Sequence, residues 1–300
     1  AEVPDVCTVL HNQRGSAPGM WFITNDEKKT VVISLPGVPH EMKGLITDEV
    51  IPRLQQHYSL PAIVHRTAST AGAGESMIAE QLVDFENALP ASIKLAYLPS
   101  FGMVKLRLTL HGEERERAEK ELVPYFESLK EKVAEWIISD IDEPIEQIIG
   151  KILTERKQTM ATAESCTGGK IATLLTAIPG SSAYFNGSVI AYSNKIKETV
   201  LNVSPDILQQ HGAVSQQTVI EMVKSSIAAC KSTYAIATSG IMGPGGGSEQ
   251  KPVGTVWLAA GNAEKIETHC LHLRFDRARN IDLAATQALL FLRRFILANT

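Results

Sequence analysis

The segment "TMATAESCTGGKIATLL" (Thr159–Leu175) decides how the second half of the chain folds. It opens as a short β-prone run and closes with the apolar spacing of a helix. A serine, a cysteine, a threonine and two glycines lie where the two patterns meet. The segment therefore predicts a strand that passes into a helix through a polar turn, with Ser165 and Cys166 as neighbouring candidate nucleophiles.

A turn of this composition suits the binding of a negatively charged group. The free N–H groups at the start of a helix attract anions, and Gly168 and Gly169 let the backbone approach a ligand closely. The alternative is that a hydroxyl such as that of Thr167 only caps the helix. A cap needs one hydroxyl, whereas the turn has two, with a thiol and two glycines, and this favours a functional role.

Two further loops follow predicted strands. In "SVIAYSNKIKETV" the strand ends before Asn194, and Lys195 and Lys197 come next. A buried lysine can serve as a base because desolvation lowers its pKa. The alternatives are that Asn194 caps a short helix and that the lysines are solvated.

The third loop is rich in glycine. Seven of the ten residues from Gly240 to Glu249 are Gly, Pro or Ser, and the pattern does not match a P-loop. Such a loop can cradle a phosphate, although composition alone fits a flexible linker equally well. Ligands of open α/β sheets collect at the carboxyl ends of strands, so we expect the three loops to form one site.

Composition excludes several classes of function. With 29 basic and 33 acidic residues the net charge is −4, which argues against non-specific nucleic-acid binding. Four separated cysteines and no CxxC pair favour a reducing compartment and predict neither a zinc ribbon nor a disulfide scaffold. His269 and His272 fall on opposite faces of a predicted strand, so no metal site is expected there. Without a signal peptide or a membrane-length apolar run, we expect a cytoplasmic protein that does not bind membranes.

The pattern divides the chain into three parts. Residues 1–61 predict only a hairpin, a strand and a helix, so we expect an incomplete α/β domain. Residues 62–139 predict the order strand, helix, strand, strand and a long helix over residues 113–137, which suits a small α+β sandwich. Residues 140–300 alternate strands and helices and predict an α/β domain.

At these motifs the sequence resembles the CinA (competence/damage-inducible) family. The segments "AESCTGG", "PGSSAYFNGSVIAYSNKIK", "HGAVS" and "SGIMGPGGGSEQKPVGTV" resemble its C-terminal domain, which is a nicotinamide mononucleotide deamidase. "GAGESMIAEQL" and "LPSFGMVKLRL" resemble its KH-like middle domain. "NQRGSAPGM" and "LPGVPHEMK" resemble the second half of its molybdopterin-binding-like N-terminal domain. The resemblance implies a three-layer-type α/β C-terminal domain over residues 140–300.

The resemblance implies a Ser/Lys amidohydrolase of the pyridine nucleotide cycle, which converts nicotinamide mononucleotide to nicotinate mononucleotide and ammonia. Ser165 would be the nucleophile and Lys197 the base, and Tyr192 would orient Lys197 or relay its proton. Backbone N–H groups of residues 167–169 would hold the oxyanion, and the glycine-rich loop with a cation would bind the 5′-phosphate. The expected oxyanion and substrate-binding residues are Glu164, Thr167, Gly168, Gly169, Asn194, Ser239, Gly240, Gly243, Gly245, Gly246, Lys251 and Arg277.

The resemblance also sets expectations for ligands and partners. The deamidase needs no metal or other cofactor, and a divalent metal would act only with a complete N-terminal ADP-ribose pyrophosphatase site, whose front half we expect to be missing. We expect a homodimer that binds nicotinamide mononucleotide and no nucleic acid. The family usually has Ala where Met242 stands, so a bulkier side chain would narrow the pocket or fill the core. The alternative function is a non-catalytic module that senses nucleotides or binds a partner in competence or the DNA damage response.

Overall fold

The structure is a computed structural model that describes residues 2–25, 27 and 29–299. The chain forms two compact units, one comprising residues up to Ile63 together with His111–Ala118, and the other comprising Val64–Leu110 and the residues from Glu119 onward. Of the helices in the described residues, none has both the length and the apolar character required to cross a membrane.

The smaller unit contains an antiparallel sheet in the order β1-β2-β3 and a helical segment. Its elements are β1 (Thr8–Leu10), β2 (Gly19–Ile23), β3 (Val31–Ser34), α1 (Pro39–Leu45) and α2 (Ile51–His57), with a π-helical turn at Ile46–Val50 between the two helices. Leu10, Trp21, Leu45 and Val50 form its buried apolar cluster. The predicted hairpin, strand and helix are confirmed. Strand β1 was not predicted, because three residues are too few to show a period.

The middle of the chain forms a four-stranded sheet in the order β5-β6-β4-β7. Its elements are β4 (Ala62–Ala71), α3 (Glu75–Asn87), β5 (Ile93–Ser100), β6 (Met103–Gly112), α4 (Arg115–Lys132) and β7 (Ile137–Ser139). The predicted order is confirmed with one correction. The prediction that the last helix extends to residue 137 is wrong, because the chain leaves the helix after Lys132 and pairs Ser139 antiparallel with Ser69 of β4.

The rest of the chain forms a five-stranded sheet in the order β12-β11-β10-β8-β9, with helices between the strands. Its elements are α5 (Ile145–Glu155), β8 (Met160–Glu164), α6 (Lys170–Thr176), β9 (Phe185–Ile190), α7 (Asn194–Thr199), α8 (Pro205–His211), α9 (Gln216–Cys230), β10 (Tyr234–Gly240), β11 (Thr255–Gly261), β12 (Ile266–His272) and α10 (Arg277–Ala298). Strands β9, β8 and β10 are parallel, and β11 and β12 extend the sheet antiparallel.

Helices cover both faces of this sheet. Along β10, Tyr234 and Ile236 belong to the apolar cluster that contains residues of α5, α6 and α10. The alternate residues Ala235 and Ala237 belong to a second cluster with residues of α8 and α9. Successive side chains of a strand point to opposite faces, so the two clusters lie on opposite sides of the sheet. This confirms the three-layer α/β architecture.

Candidate active site

The three loops named by the sequence meet at one edge of the five-stranded sheet. Glu164, the last residue of β8, pairs with Ile190 of β9 on one side and with Thr238 of β10 on the other. All three strands run parallel, so their carboxyl ends and the loops that follow lie together. The prediction that these strands are neighbours is confirmed.

Ser165 and Lys197 contact each other at this edge. Lys197 Nζ lies 3.0 Å from Ser165 Oγ, 2.7 Å from the carbonyl oxygen of Ala191 and 3.4 Å from that of Tyr192. The two carbonyl oxygens can only accept hydrogen bonds. In a neutral Lys197 they would take both amine hydrogens and leave the nitrogen lone pair for the Ser165 hydroxyl, so the geometry suits proton transfer from Ser165 to Lys197.

Burial favours the neutral form of this lysine. The Lys197 residue is 1 % exposed, although it lies in a helix of only six residues. Desolvation lowers the pKa of its ammonium group below the ordinary lysine value, and the nearby Cys166 thiol opposes this shift. Among the described residues Lys197 forms no ion pair with an Asp or Glu that would stabilise its charge. The lysine is therefore held in surroundings that favour a base.

Cys166 is the weaker of the two candidate nucleophiles. Its side chain is buried, and this burial raises the pKa of the thiol to about 12. The thiolate is the reactive form of cysteine, and it would be almost absent at neutral pH. The residue pattern left the choice between Ser165 and Cys166 open and the family resemblance pointed to Ser165; the contact with Lys197 also favours Ser165.

The expected role of Glu164 in substrate binding is corrected by the structure. Glu164 is fully buried, and its carboxylate accepts hydrogen bonds from the N–H groups of Gly169, Ile171 and Ala172 at 2.8–3.1 Å. These groups open helix α6, where a negative charge is favourable. Glu164 therefore anchors the helix behind Ser165 and has no free oxygen face for a substrate.

The same contacts correct the expected oxyanion donors. The Gly169 N–H donates to Glu164, and the Gly168 N–H donates to the carbonyl oxygen of Ser165 at 3.2 Å. Both groups are already occupied. The Thr167 hydroxyl shares a 2.7 Å hydrogen bond with Thr238, while the N–H groups of Cys166 and Thr167 have no acceptor in the part of the chain that the structure describes.

The glycine-rich loop contributes only its first residues to the pocket. Ser239 and Gly240 line it, and the Ser239 hydroxyl donates to the carbonyl oxygen of Ala213 at 2.7 Å. Gly245 and Gly246 are exposed and do not line the pocket. Their expected part in phosphate binding therefore stays a prediction.

The two candidate phosphate-binding cations lie in different places. Arg277 lines the pocket, where its guanidinium donates to the Gly243 carbonyl oxygen at 2.8 Å and to the Tyr192 hydroxyl at 2.9 Å. Lys251 lies outside the pocket, and its ammonium group donates to the carbonyl oxygen of His211. The geometry therefore selects Arg277 over Lys251.

The expected contact between the Tyr192 phenol and Lys197 is absent. The phenol accepts a hydrogen bond from Arg277, the Tyr192 residue is 61 % exposed, and only its carbonyl oxygen faces Lys197.

Asn194 lines the pocket and does not cap helix α7, since the Ser193 hydroxyl accepts from the Ile196 N–H there. Asn194 is thus available to a ligand.

The complete pocket has a volume of about 160 Å³. Sequence reasoning did not name Ala213 and Val214, although the motif "HGAVS" that contains them was a signal. Met242 lines the pocket and also belongs to the buried apolar cluster, so its side chain both borders the pocket and fills the core. The residues that surround the pocket are Ser165, Cys166, Tyr192, Asn194, Lys197, Ala213, Val214, Ser239, Gly240, Met242 and Arg277.

Fold and site together define a three-layer α/β protein with a buried serine and lysine in contact at the carboxyl edge of its parallel strands. Residues 142–296 match the CinA C-terminal domain, and residues 65–139 match the damage-inducible protein CinA KH domain. The chain belongs to the CinA family.

Individual relatives support this membership. The chain is 43 % identical over 294 residues to a CinA-like protein of Cytophaga hutchinsonii, an alignment that covers 98 % of this chain and 70 % of the relative. It is also 43 % identical to a CinA-like protein of Flavobacterium psychrophilum, covering 100 % of this chain and 71 % of the relative. The crystal structure of competence damage-inducible protein A (ComA) from Klebsiella pneumoniae superposes with a TM-score of 0.51 and 32 % identity, covering 53 % of this chain and all of that one.

Proposed function

We propose that the chain is an amidohydrolase that converts nicotinamide mononucleotide and water to nicotinate mononucleotide and ammonia. One observation carries the proposal: the amine of buried Lys197 lies 3.0 Å from the hydroxyl of Ser165. Cleavage of a carboxamide requires a nucleophile, a base and an oxyanion site, and this pair supplies the first two.

In the proposed reaction neutral Lys197 takes the hydroxyl proton as Ser165 Oγ attacks the carboxamide carbon. The tetrahedral intermediate collapses to an acyl-enzyme when the protonated Lys197 returns the proton to the departing ammonia. A water molecule then gives a proton to Lys197 and attacks the ester carbon. Lys197 passes this proton to Ser165 Oγ as the ester bond breaks, and the acid product leaves and ionises to the carboxylate. The N–H groups of Cys166 and Thr167 are the donors we assign to the oxyanion, since residues 168 and 169 have other acceptors.

The pocket dimensions support a substrate with a small amide end and an exposed anionic end. A pocket of about 160 Å³ is smaller than the ~300–1,000 Å³ typical of sites that enclose a whole ligand. It admits a carboxamide-bearing ring beside Ser165, while the rest of the molecule extends toward solvent. Arg277 at the pocket mouth offers a guanidinium to a phosphate, which it can bind through two parallel hydrogen bonds.

A substrate panel tests this proposal. Ammonia release is measured with nicotinamide mononucleotide, its riboside, free nicotinamide and ADP-ribose. We expect turnover of the mononucleotide and a higher KM for the riboside, because only the mononucleotide has a phosphate for Arg277. Tight binding of the mononucleotide without release of ammonia would instead favour a nucleotide-sensing module.

A further inference from the structure

A second pocket lies in the larger unit, away from Ser165. It has a volume of about 350 Å³, more than twice that of the Ser165 pocket. Its walls come from the end of β4, the turn between β5 and β6, residues 135–138 at the start of β7, strand β12 and residues 287–294 of α10. The volume falls within the range of small-molecule sites.

A desolvated arginine lines this pocket without a charge partner. Arg293 donates one hydrogen bond to the Ile138 carbonyl oxygen at 3.0 Å, whereas its Nε atom is buried and has no acceptor. Burial lowers the pKa of the guanidinium, but arginine keeps its proton in proteins. Because the Nε atom is closed to solvent, an anion in the pocket would meet the terminal nitrogens of this guanidinium, where it would offset a partly buried charge.

The charge of the lining favours an anion. Arg293 and Arg294 both border the pocket, and of the described residues in its lining only Glu135 is acidic. Arg293 forms no ion pair with an Asp or Glu among the residues that the structure describes, whereas Arg294 lies near Glu267 and helps to lower the pKa of that carboxyl. The lining thus has an excess of positive charge.

The remaining wall is apolar and partly aromatic. Trp136, Ile137 and Leu290 border the pocket with Phe291, whose ring centroid lies 6.0 Å from that of His269. The Arg294 guanidinium lies over the same Phe291 ring, 4.9 Å from its centroid. Phe291 is buried beneath these two groups, so the partly exposed Trp136 is the aromatic surface that suits the flat face of an organic ring, whereas a bare inorganic ion would gain nothing from it.

We propose that this pocket, which we call the Arg293 pocket, binds a small organic anion that carries a planar ring, of about the size of a nucleoside monophosphate. The anionic group pairs with Arg293 and Arg294, and the ring packs against Trp136. This site is independent of the Ser165 pocket and of the function proposed for it.

Calorimetric titration of the full chain tests the proposal, with adenosine 5′-monophosphate as probe and with adenosine and inorganic phosphate as its two halves. We expect the monophosphate to bind at least tenfold more tightly than either half, because only the whole probe uses both the charge and the ring wall. Equal binding of phosphate and monophosphate, or no binding of the monophosphate, would overturn the proposal.

Three variants locate the binding. Arg294→Gln removes an exposed guanidinium and should weaken monophosphate binding at least tenfold, and Arg293→Gln should do the same if it folds. Arg279→Gln is the matched control, because Arg279 also lies on α10 over a phenylalanine ring, that of Phe275, but outside the pocket. Unchanged binding in Arg294→Gln, or an equal loss in Arg279→Gln, would show that the probe binds elsewhere.

Discussion

The Ser165 pocket and the Arg293 pocket each contain a basic side chain removed from water, Lys197 in the first and Arg293 in the second, and both pockets border helix α10. Arg277 begins the helix and Arg293 lies sixteen residues later, about 24 Å along its axis. Burial affects the basic groups of Lys197 and Arg293 differently. Lysine can release its proton when desolvated and become a base, whereas arginine stays charged and needs an anion. The cost of removing a charge from water therefore favours a base in the Ser165 pocket and the binding of an anion in the Arg293 pocket.

Ser165→Ala should give the largest effect. Loss of the hydroxyl removes the nucleophile, so we expect amide turnover to fall by about 10³-fold or more. Cys166→Ala is the matched control and should retain turnover within about tenfold, since burial keeps that thiol protonated. Steady-state ammonia release measures both. Retained turnover in the serine variant with loss in the cysteine variant would reverse the assignment.

Lys197→Arg tests the difference between the two cations directly. Arginine cannot act as a base at any accessible pH, so we expect a loss of about 10²–10⁴-fold across the whole pH range. Lys195→Arg, on the exposed side of the same helix, should be close to wild type. If the two variants have equal turnover, Lys197 is not the base.

The wild-type pH dependence follows from the direction of the Lys197 shift. The catalytic form is the neutral amine, so kcat/KM should rise with pH through a pKa below the ordinary lysine value of 10.5. Between that pKa and 10.5 the unfolded chain binds more protons than the folded one, so stability should rise with pH in this window. Urea denaturation of wild type and Lys197→Met at several pH values measures this contribution. A pH-independent difference between them would contradict the shift.

Glu164→Gln should lower the stability of the protein, and it should remove no direct contact with substrate. The carboxylate accepts three N–H groups at the start of α6, and an amide would turn a donor toward some of them. We expect a loss of about 2–3 kcal/mol in the free energy of unfolding, measured by urea denaturation. Glu249→Gln, in an exposed loop, is the control and should cost almost nothing. A lower kcat at unchanged stability would instead indicate a catalytic role for Glu164.

Tyr192→Phe should give the smallest effect. The phenol contacts Arg277 and lies away from Lys197, so its loss should raise KM a few-fold and leave kcat nearly unchanged. A hundredfold fall in kcat with an altered pH profile would show that the phenol relays a proton. Kinetics of the two proteins over a range of pH decide between these outcomes.

Much of the C-terminal fold follows from local pattern. Strand β8 passes into helix α6 through the predicted polar turn, and strand β10 leads into its glycine-rich loop as expected. Shorter or context-dependent elements were missed. Strand β7 lies in a segment with helical spacing, and its partner β4 is about seventy residues away in the chain. No local window contains that information.

By itself, the sequence determined which three loops carry the site and narrowed the nucleophile to two adjacent residues, because strand and helix periods are local properties. Only the tertiary structure showed that Lys197 contacts Ser165, that Glu164 anchors helix α6, and that Arg277 lines the pocket whereas Lys251 does not. These features depend on which side chains are buried and on which hydrogen-bond donors and acceptors meet across neighbouring strands and helices. They are fixed by three-dimensional contacts between residues as much as 85 positions apart, as for Arg277 and Tyr192.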